Sequence, residues 1–368
     1  MNIKMTKSDT EQRWLSGLLS QIDFHLRGGD RRRRDDHFDW RWFRKLPTSH
    51  FVDARRRARK MLGLLSGKAP TGYSTEWLMK NAPKLWQTRE VLADDLSRRQ
   101  FDDAITLKIV GYRRAFFPPE AFDTYLELNA SRPFTHPELP DSYMGVPLRL
   151  LDVGRGELAT IVATDGFFES VNRYRQYFVK RGGISLSPRL GETVLDCGAC
   201  VGEVATTFAL HVGEAGQVHM FDPMPAHVAF CNLQKQLNPH LSGRMHVVPM
   251  AVGAASNGQA ALAATTTEIR PDTRPDASFP FVSIDDYVRE KNIRVDVIKM
   301  DIEGGEGDAL RGAEHTLRKF QPRLMISAYH RTDDLWVLRE QIQKINPSYT
   351  FHFGHHTPVQ WESVLYAC

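Results

Sequence analysis

The chain predicts an α/β fold: a mainly parallel, doubly wound sheet that ends in an antiparallel hairpin, with an N-terminal, mostly helical extension. Three observations carry this. From about residue 190, short apolar runs alternate with helical segments, the order that a parallel sheet covered by helices on both faces requires. The last two apolar runs, 349–353 and 363–366, have no helix between them, so they pair as a hairpin. The first 110 residues carry helical rather than alternating periodicity where they are patterned at all.

In order, Trp14, Leu15, Leu18, Leu19, Ile22 and Leu26 fall at helical spacing and predict an amphipathic helix over 11–26. Residues 28–72 are charged and weakly periodic, a loose connection with one helix near 52–65. Two further helices follow over 75–94 and 97–110, the second with Ser97 as its N-cap. Pro118, Pro119, Pro133, Pro137, Pro140 and Pro147 then punctuate an irregular stretch. Runs at 148–153 and 158–164 flank Gly154 and Gly156 as a hairpin. Strands are expected at 193–196, 217–221, 245–252, 295–301 and 323–328. Helices are expected between them at 204–211, 227–237, 284–291 and 310–319, with another at 334–345. This reads as a basic helical segment over 1–90, lead-in helices and a hairpin over 91–170, and the α/β body over 171–368. The stripe of Trp14, Leu18 and Ile22 must be covered, and a second copy of the chain is the expected cover.

Composition limits the function classes. The chain has 368 residues, 42% apolar and 25% charged, which suits one large or two ordinary globular domains. No apolar run is long enough to span a bilayer, and the first residues lack an apolar secretory core, so a cytoplasmic protein is expected. Cys197, Cys200, Cys231 and Cys368 are too few for a disulfide framework. Residues 1–70 carry 17 Lys and Arg against 8 Asp and Glu, while 151–368 carry 21 against 25. The clusters Arg31–Arg34 and Arg55–Lys60 could meet phosphates, or could form a solvated face. The acidic body argues against a nucleic-acid substrate.

The first body strand runs into Asp196-Cys197-Gly198-Ala199-Cys200-Val201-Gly202 and then a helix. A turn of small residues lets a ligand approach the backbone. Twenty residues on, the second strand ends in Phe221-Asp222-Pro223, an acid placed to accept ribose hydroxyls. The turn lacks the second and third glycines of the dinucleotide fingerprint, and no phosphate-binding Gly-x-x-x-x-Gly-Lys occurs. An aspartate at the strand end suits a cofactor with an amino group and no pyrophosphate, such as S-adenosylmethionine. Cys197 and Cys200 have redox-pair spacing, but they lie inside this turn, and no second pair completes a zinc site.

The stretch Lys299-Met300-Asp301-Ile302-Glu303-Gly304-Gly305-Glu306 follows an apolar strand. In open α/β sheets ligands sit beyond the carboxyl ends of the strands. Lys299 and Asp301 share a face by alternation and are expected to pair. Asp301, Glu303 and Glu306 are candidates for base, metal ligand or clamp on substrate hydroxyls, with helix capping the plainer role for Glu306. The next strand ends in Tyr329-His330, which brings His330 to the same rim as Asp301. A histidine there would titrate near neutrality and act as the base. His352, His355 and His356 lie in the last hairpin, where a structural role is expected.

These motifs resemble the FkbM family of S-adenosylmethionine-dependent methyltransferases. The likeness lies in Val194–Ala199, Phe221-Asp222-Pro223, the stretch from Ile298 to Glu306, Tyr329-His330, the closing Trp361–Tyr366 and the lead-in Arg175–Phe178. It covers roughly 170–368. It implies a Rossmann-like methyltransferase fold and O-methylation of a hydroxyl on a sugar, glycan or natural product. Asp196, Gly198 and Ala199, with Gly202 in the same turn, would line the methionine end. Asp222, beside Pro223, would take the ribose, and Met224, Met250 and Ala251 would border the adenine. Asp301, Glu303, His330 and Lys299 would form the catalytic end. A divalent metal, if used, would sit among Asp301, Glu303 and His330. An RNA methyltransferase docking through the basic segment and a non-catalytic scaffold are the competing readings.

Overall fold

The computed structural model describes residues 7–27, 73–111, 114–115, 117, 138–143, 146–155, 157–163, 175–181, 183–256, 259–262, 269–271, 278–357 and 361–368. Both basic clusters and the helix expected near 52–65 lie outside them. Helices α1 (Lys7–Leu26), α2 (Thr75–Val91) and α3 (Asp95–Val110) come first. Strands β1 (Glu138–Tyr143), β2 (Val146–Arg155) and β3 (Glu157–Ala163) follow, then the short pair β4 (Lys180–Arg181) and β5 (Ile184–Ser185). The body runs β6 (Thr193–Cys197), α4 (Glu203–Val212), β7 (Gln217–Phe221), α5 (Pro225–Leu237), β8 (Met245–Val248), β9 (Ala251–Val252), β10 (Gln259–Leu262), β11 (Ile269–Pro271) and β12 (Ser278–Val282). It closes with α6 (Ile284–Lys291), β13 (Val297–Met300), α7 (Glu306–Arg311), α8 (Glu314–Phe320), β14 (Arg323–Ser327), α9 (Asp334–Ile345), β15 (Phe351–His355) and β16 (Ser363–Ala367).

The central sheet has the order β15-β16-β14-β13-β6-β7-β8. From β8 to β14 the strands are parallel, and β16 and β15 add on antiparallel, as the sequence predicts. Alternation along each strand divides the core in two. Leu195, Cys197, Ile298, Met300, Leu324 and Ile326 face one cluster, while Val194, Val218, Met220, Val297 and Met325 face the other. The order reverses between β6 and β13, so the chains leaving their carboxyl ends run to opposite faces and open a crevice.

The N-terminal stripe is covered within the chain, where a second copy was the expected cover. Leu18 and Ile22 are buried in the same core cluster as α3 residues Phe101 and Ile105, with Trp14, Leu15 and Leu19 packed beside them. Trp14 donates Nε1–H to Asp102 at 2.8 Å and lies 5.5 Å from the Trp86 ring. The cap of α3 is Asp94, not Ser97. The Asp94 carboxylate accepts from the Ser97 N–H and hydroxyl, both at 2.7 Å, and from His352 Nδ1 at 2.7 Å.

Two elements read as continuous are divided. Residues 245–252 break at Pro249, which has no N–H to continue a ladder. Beyond it β9 pairs with β12 in a separate four-stranded sheet. Residues 310–319 break at Gly312, where an added Cβ would lie 2.1 Å from the Gly253 carbonyl oxygen. The expected hairpin forms as β2 and β3, with β1 added. The edge of β3 is satisfied by α5 side chains. Gln234 bonds both the N–H and C=O of Val162, and Asn238 does the same for Thr160. Gln234 also donates to Val201 O at 2.9 Å, which fixes the turn after β6.

Candidate active site

The turn after β6 is shaped by contacts that need its small residues. Gly198 has φ +85°, and an added Cβ would lie 1.9 Å from the Asp301 carbonyl oxygen. The N–H groups of Gly198 and Ala199 both donate to Phe221 O, at 2.9 and 3.0 Å. Gly202, at φ +82°, starts α4 against Met220 and Gln234. The turn is therefore locked to the ends of both neighbouring strands.

Beneath it lies a buried ion pair. Register places Lys299 opposite Asp196, and Lys299 Nζ meets Asp196 Oδ1 at 2.9 Å. The same ammonium donates to Gly198 O at 2.7 Å. Burial works against the lysine charge, but Asp196 and Asp301 outweigh it and hold the pKa above the ordinary lysine value. The expected pairing of Lys299 with Asp301 is thus replaced by one with Asp196, because Asp301 lies past the end of β13, where the chain turns away. Lys299 and Asp196 are both buried, so they support the turn from below.

Asp222 ties the second strand to the turn. Its Oδ2 accepts from Cys200 N at 3.0 Å and faces His227 Nδ1 at 2.9 Å, and its Oδ1 accepts from Met224 N at 2.9 Å. Pro223 and Met224 lead directly into α5. Met250 and Ala251 lie at the step from β8 to β9, beside the Val248 carbonyl that accepts from Asp222 N.

The acidic rim adjoins the turn. Asp301 N donates to Cys197 O at 3.0 Å, and Glu303 and Gly304 take left-handed φ values of +57° and +94°. His330, after β14, faces three carboxylates. Its Nε2 lies 3.3 Å from Asp301 and 3.7 Å from Glu303, and its Nδ1 lies 3.0 Å from Glu306. Glu306 also accepts from Ile302 N at 2.9 Å. Burial disfavours a charged His330, but Glu306 and Asp301 outweigh it and raise the pKa well above the usual histidine value. This corrects the expectation of a histidine that titrates near neutrality. Burial also works to raise Asp301, yet His330, Lys299 and Tyr329 bring it below the usual aspartate value.

Sequence reasoning assigned no role to a second layer of this rim. Tyr329 Oη lies 3.1 Å from Asp301 Oδ1 and 3.4 Å from Glu362 Oε1. Gln176 donates to Glu362 Oε2 at 2.5 Å and to Tyr177 Oη at 3.2 Å. Lys299 Nζ lies 5.7 Å above the Tyr177 ring. Burial and the Asp301 charge push the Glu362 pKa up to about 7. Gln176, Tyr177 and Glu362 do lie inside the two outlying family motifs, which is the signal that marks them. His352 pairs with Asp94, His355 with Ser363 and His356 with Tyr366, so these histidines brace the hairpin.

Residues 196–355 match the model of the methyltransferase FkbM domain. The matched segment, less than half of the chain, resembles that domain. Methyltransferase FkbM from Methylobacillus flagellatus KT has a similar solved structure, at 22% identity and a TM-score of 0.51. The alignment covers 79% of this chain and 60% of that one, so this chain spans less than two thirds of that protein's length. Fibrillarin from Methanococcus jannaschii aligns at 10% identity and a TM-score of 0.38, over 61% of this chain and 89% of that one. Aeropyrum pernix fibrillarin with natively bound S-adenosyl-L-methionine aligns at 12% identity and a TM-score of 0.34, over 60% and 94%. No curated protein sequence matches the chain significantly. The seven-stranded order and the matched segment agree on a Rossmann-like FkbM fold. No helix among the described residues is long and apolar enough to cross a membrane.

Proposed function

We propose that this chain is an S-adenosylmethionine-dependent O-methyltransferase whose acceptor is a hydroxyl of a sugar, glycan or natural product. The observation that carries the reading is the close approach of Gly198 to the Asp301 carbonyl, so tight that an added Cβ would lie 1.9 Å from its oxygen, which sets the turn after β6 beside the acidic rim. A cofactor in that turn presents its reacting end to Asp301. The donor set fits S-adenosylmethionine. Asp222 offers a carboxylate at the end of β7, Met224, Met250 and Ala251 offer apolar contacts, and the turn needs no phosphate-binding glycines. When bound, that cofactor supplies a methyl group on a sulfonium.

The chain's own part is placement and proton handling. Methyl transfer is an in-line displacement, so most of the rate comes from holding the acceptor oxygen in line. Lys299 and Asp196 fix the turn from below. Asp301, kept anionic beside His330, receives the proton of a weakly acidic hydroxyl. Carboxylates at Asp301, Glu303 and Glu362, beside Tyr177 and Tyr329, suit an uncharged polyhydroxyl acceptor and repel phosphate-bearing ones.

Titration of the protein with S-adenosylmethionine in a calorimeter tests the reading. One cofactor should bind per chain, and Asp222→Ala should weaken binding by about 1.5–3 kcal/mol, the size of hydrogen bonds to a charged group. Unchanged affinity in that variant would remove the ribose assignment.

A further inference from the structure

We propose that the acidic rim is a divalent-cation site in which Asp301 Oδ1, Glu303 Oε2 and His330 Nε2 are the ligands and Glu306 is the outer carboxylate that orients the imidazole. It rests on the methyl-transfer reading only for what the ion does, not for its binding.

Spacing is the first argument. Ligand bonds of about 2.1 Å put neighbouring ligands of one ion about 3.0 Å apart at right angles and about 3.4 Å apart at tetrahedral angles. His330 Nε2 stands 3.3 Å from Asp301 Oδ1 and 3.7 Å from Glu303 Oε2. The second argument is the imidazole itself. The His330 side chain is only 8% exposed, yet neither nitrogen has a hydrogen bond of acceptable angle. A buried polar atom left so normally has a partner.

The two nitrogens face different groups, which separates inner from outer ligands. Glu306 lies 3.0 Å from Nδ1, on the far side of the ring from Nε2. Metal-bound histidines usually direct the second nitrogen at a carboxylate in this way. Glu306 is itself held by Ile302 N, and Asp301 by the Tyr329 hydroxyl, so the outer carboxylate and one inner carboxylate are fixed. One imidazole and two carboxylates suit Mn²⁺ or Zn²⁺ better than Ca²⁺, which prefers oxygen alone. An ion there would hold the acceptor oxygen and lower its pKa. A proton on Nε2 competes with the ion, so affinity should fall as the pH is lowered.

The test is titration of the full chain with Mn²⁺ alone, reading the loss of the free-ion signal by electron paramagnetic resonance. One ion should bind per chain. Asp301→Asn and His330→Ala should weaken it at least tenfold, and so should Glu303→Gln, whose side chain is 44% exposed and whose fold is therefore safe. Glu306→Gln should cost about 10–100-fold without removing a ligand. Glu314→Gln, a half-buried acid on α8 paired with Arg318, should change nothing. A wild-type chain that binds neither Mn²⁺ nor Zn²⁺ stoichiometrically would overturn the proposal, as would wild-type affinity in Glu303→Gln or His330→Ala. S-adenosylmethionine binding measured on the same samples separates the two readings. Cofactor binding without metal binding defeats this inference alone, and loss of cofactor binding in the wild type defeats the methyl-transfer reading.

Discussion

Lys299 and Asp196 show how one residue pair links packing to the site. A parallel strand covered on both faces is ordinarily apolar throughout, and Val297, Ile298 and Met300 obey that rule. Lys299 breaks it and survives because Asp196 and the Gly198 carbonyl take its charge. Lys299→Met would leave a buried carboxylate unpaired, and about 3–5 kcal/mol of stability should be lost. The double variant Asp196→Leu with Lys299→Met should lose less, since no lone charge remains. Chemical denaturation of the two proteins decides this, and equal losses would mean that the pair does not act as a unit. Gly198 is stricter still. Gly198→Ala drives a Cβ into the Asp301 backbone, so cofactor binding should vanish even where the fold persists. Normal affinity in that variant would show that the turn can open without cost.

At the scale of elements, the helical extension behaves as part of the core rather than as an appendage. Deleting residues 1–27 uncovers the α2 and α3 surface around Trp86, Phe101 and Ile105. The shortened protein should melt several degrees lower, with no smaller assembly by light scattering. The latch between α3 and β15 gives a pH prediction. Burial works to raise the Asp94 pKa, but His352 and Ser97 outweigh it and hold it below the ordinary value. Stability from a depressed carboxylate is present above its unfolded pKa of about 3.9 and is lost as the pH falls through the folded value. Asp94→Ala should remove that acid-limb loss and cost about 0.5–2 kcal/mol at neutral pH through the lost cap. A denaturation series from pH 7 to 2 reads both effects, and an unchanged acid limb would contradict the assignment. These elements also show what a sequence conceals. The amphipathic stripe of α1 is plain, but its cover is not, because the α3 surface it meets lies some 80 residues away. Pro249 and Gly312 break elements that apolar spacing alone shows as continuous.

For the whole molecule, the alternation of runs from 193 to 345 was enough to read a doubly wound sheet, since each strand and helix announces itself locally. The two contiguous halves of the site, the turn from Asp196 to Gly202 and the acids from Asp301 to Glu306, were legible for the same reason. What was hidden is what topology assembles. Gln176 and Glu362 are 186 positions apart, yet they share a hydrogen bond, and Glu362 reaches Tyr329 because β16 pairs beside β14. The charge state of His330 was hidden too, since it depends on acids whose approach no spacing reveals. The central claim is that the turn after β6 and the acidic rim are two ends of one cofactor site with separate tasks. Calorimetric titration with S-adenosylmethionine of the wild-type chain, Asp222→Ala and Asp301→Asn tests it most directly. The account predicts one cofactor bound per chain, weakened at least tenfold by Asp222→Ala and nearly unchanged by Asp301→Asn. No binding to the wild type, or equal loss in both variants, would contradict it.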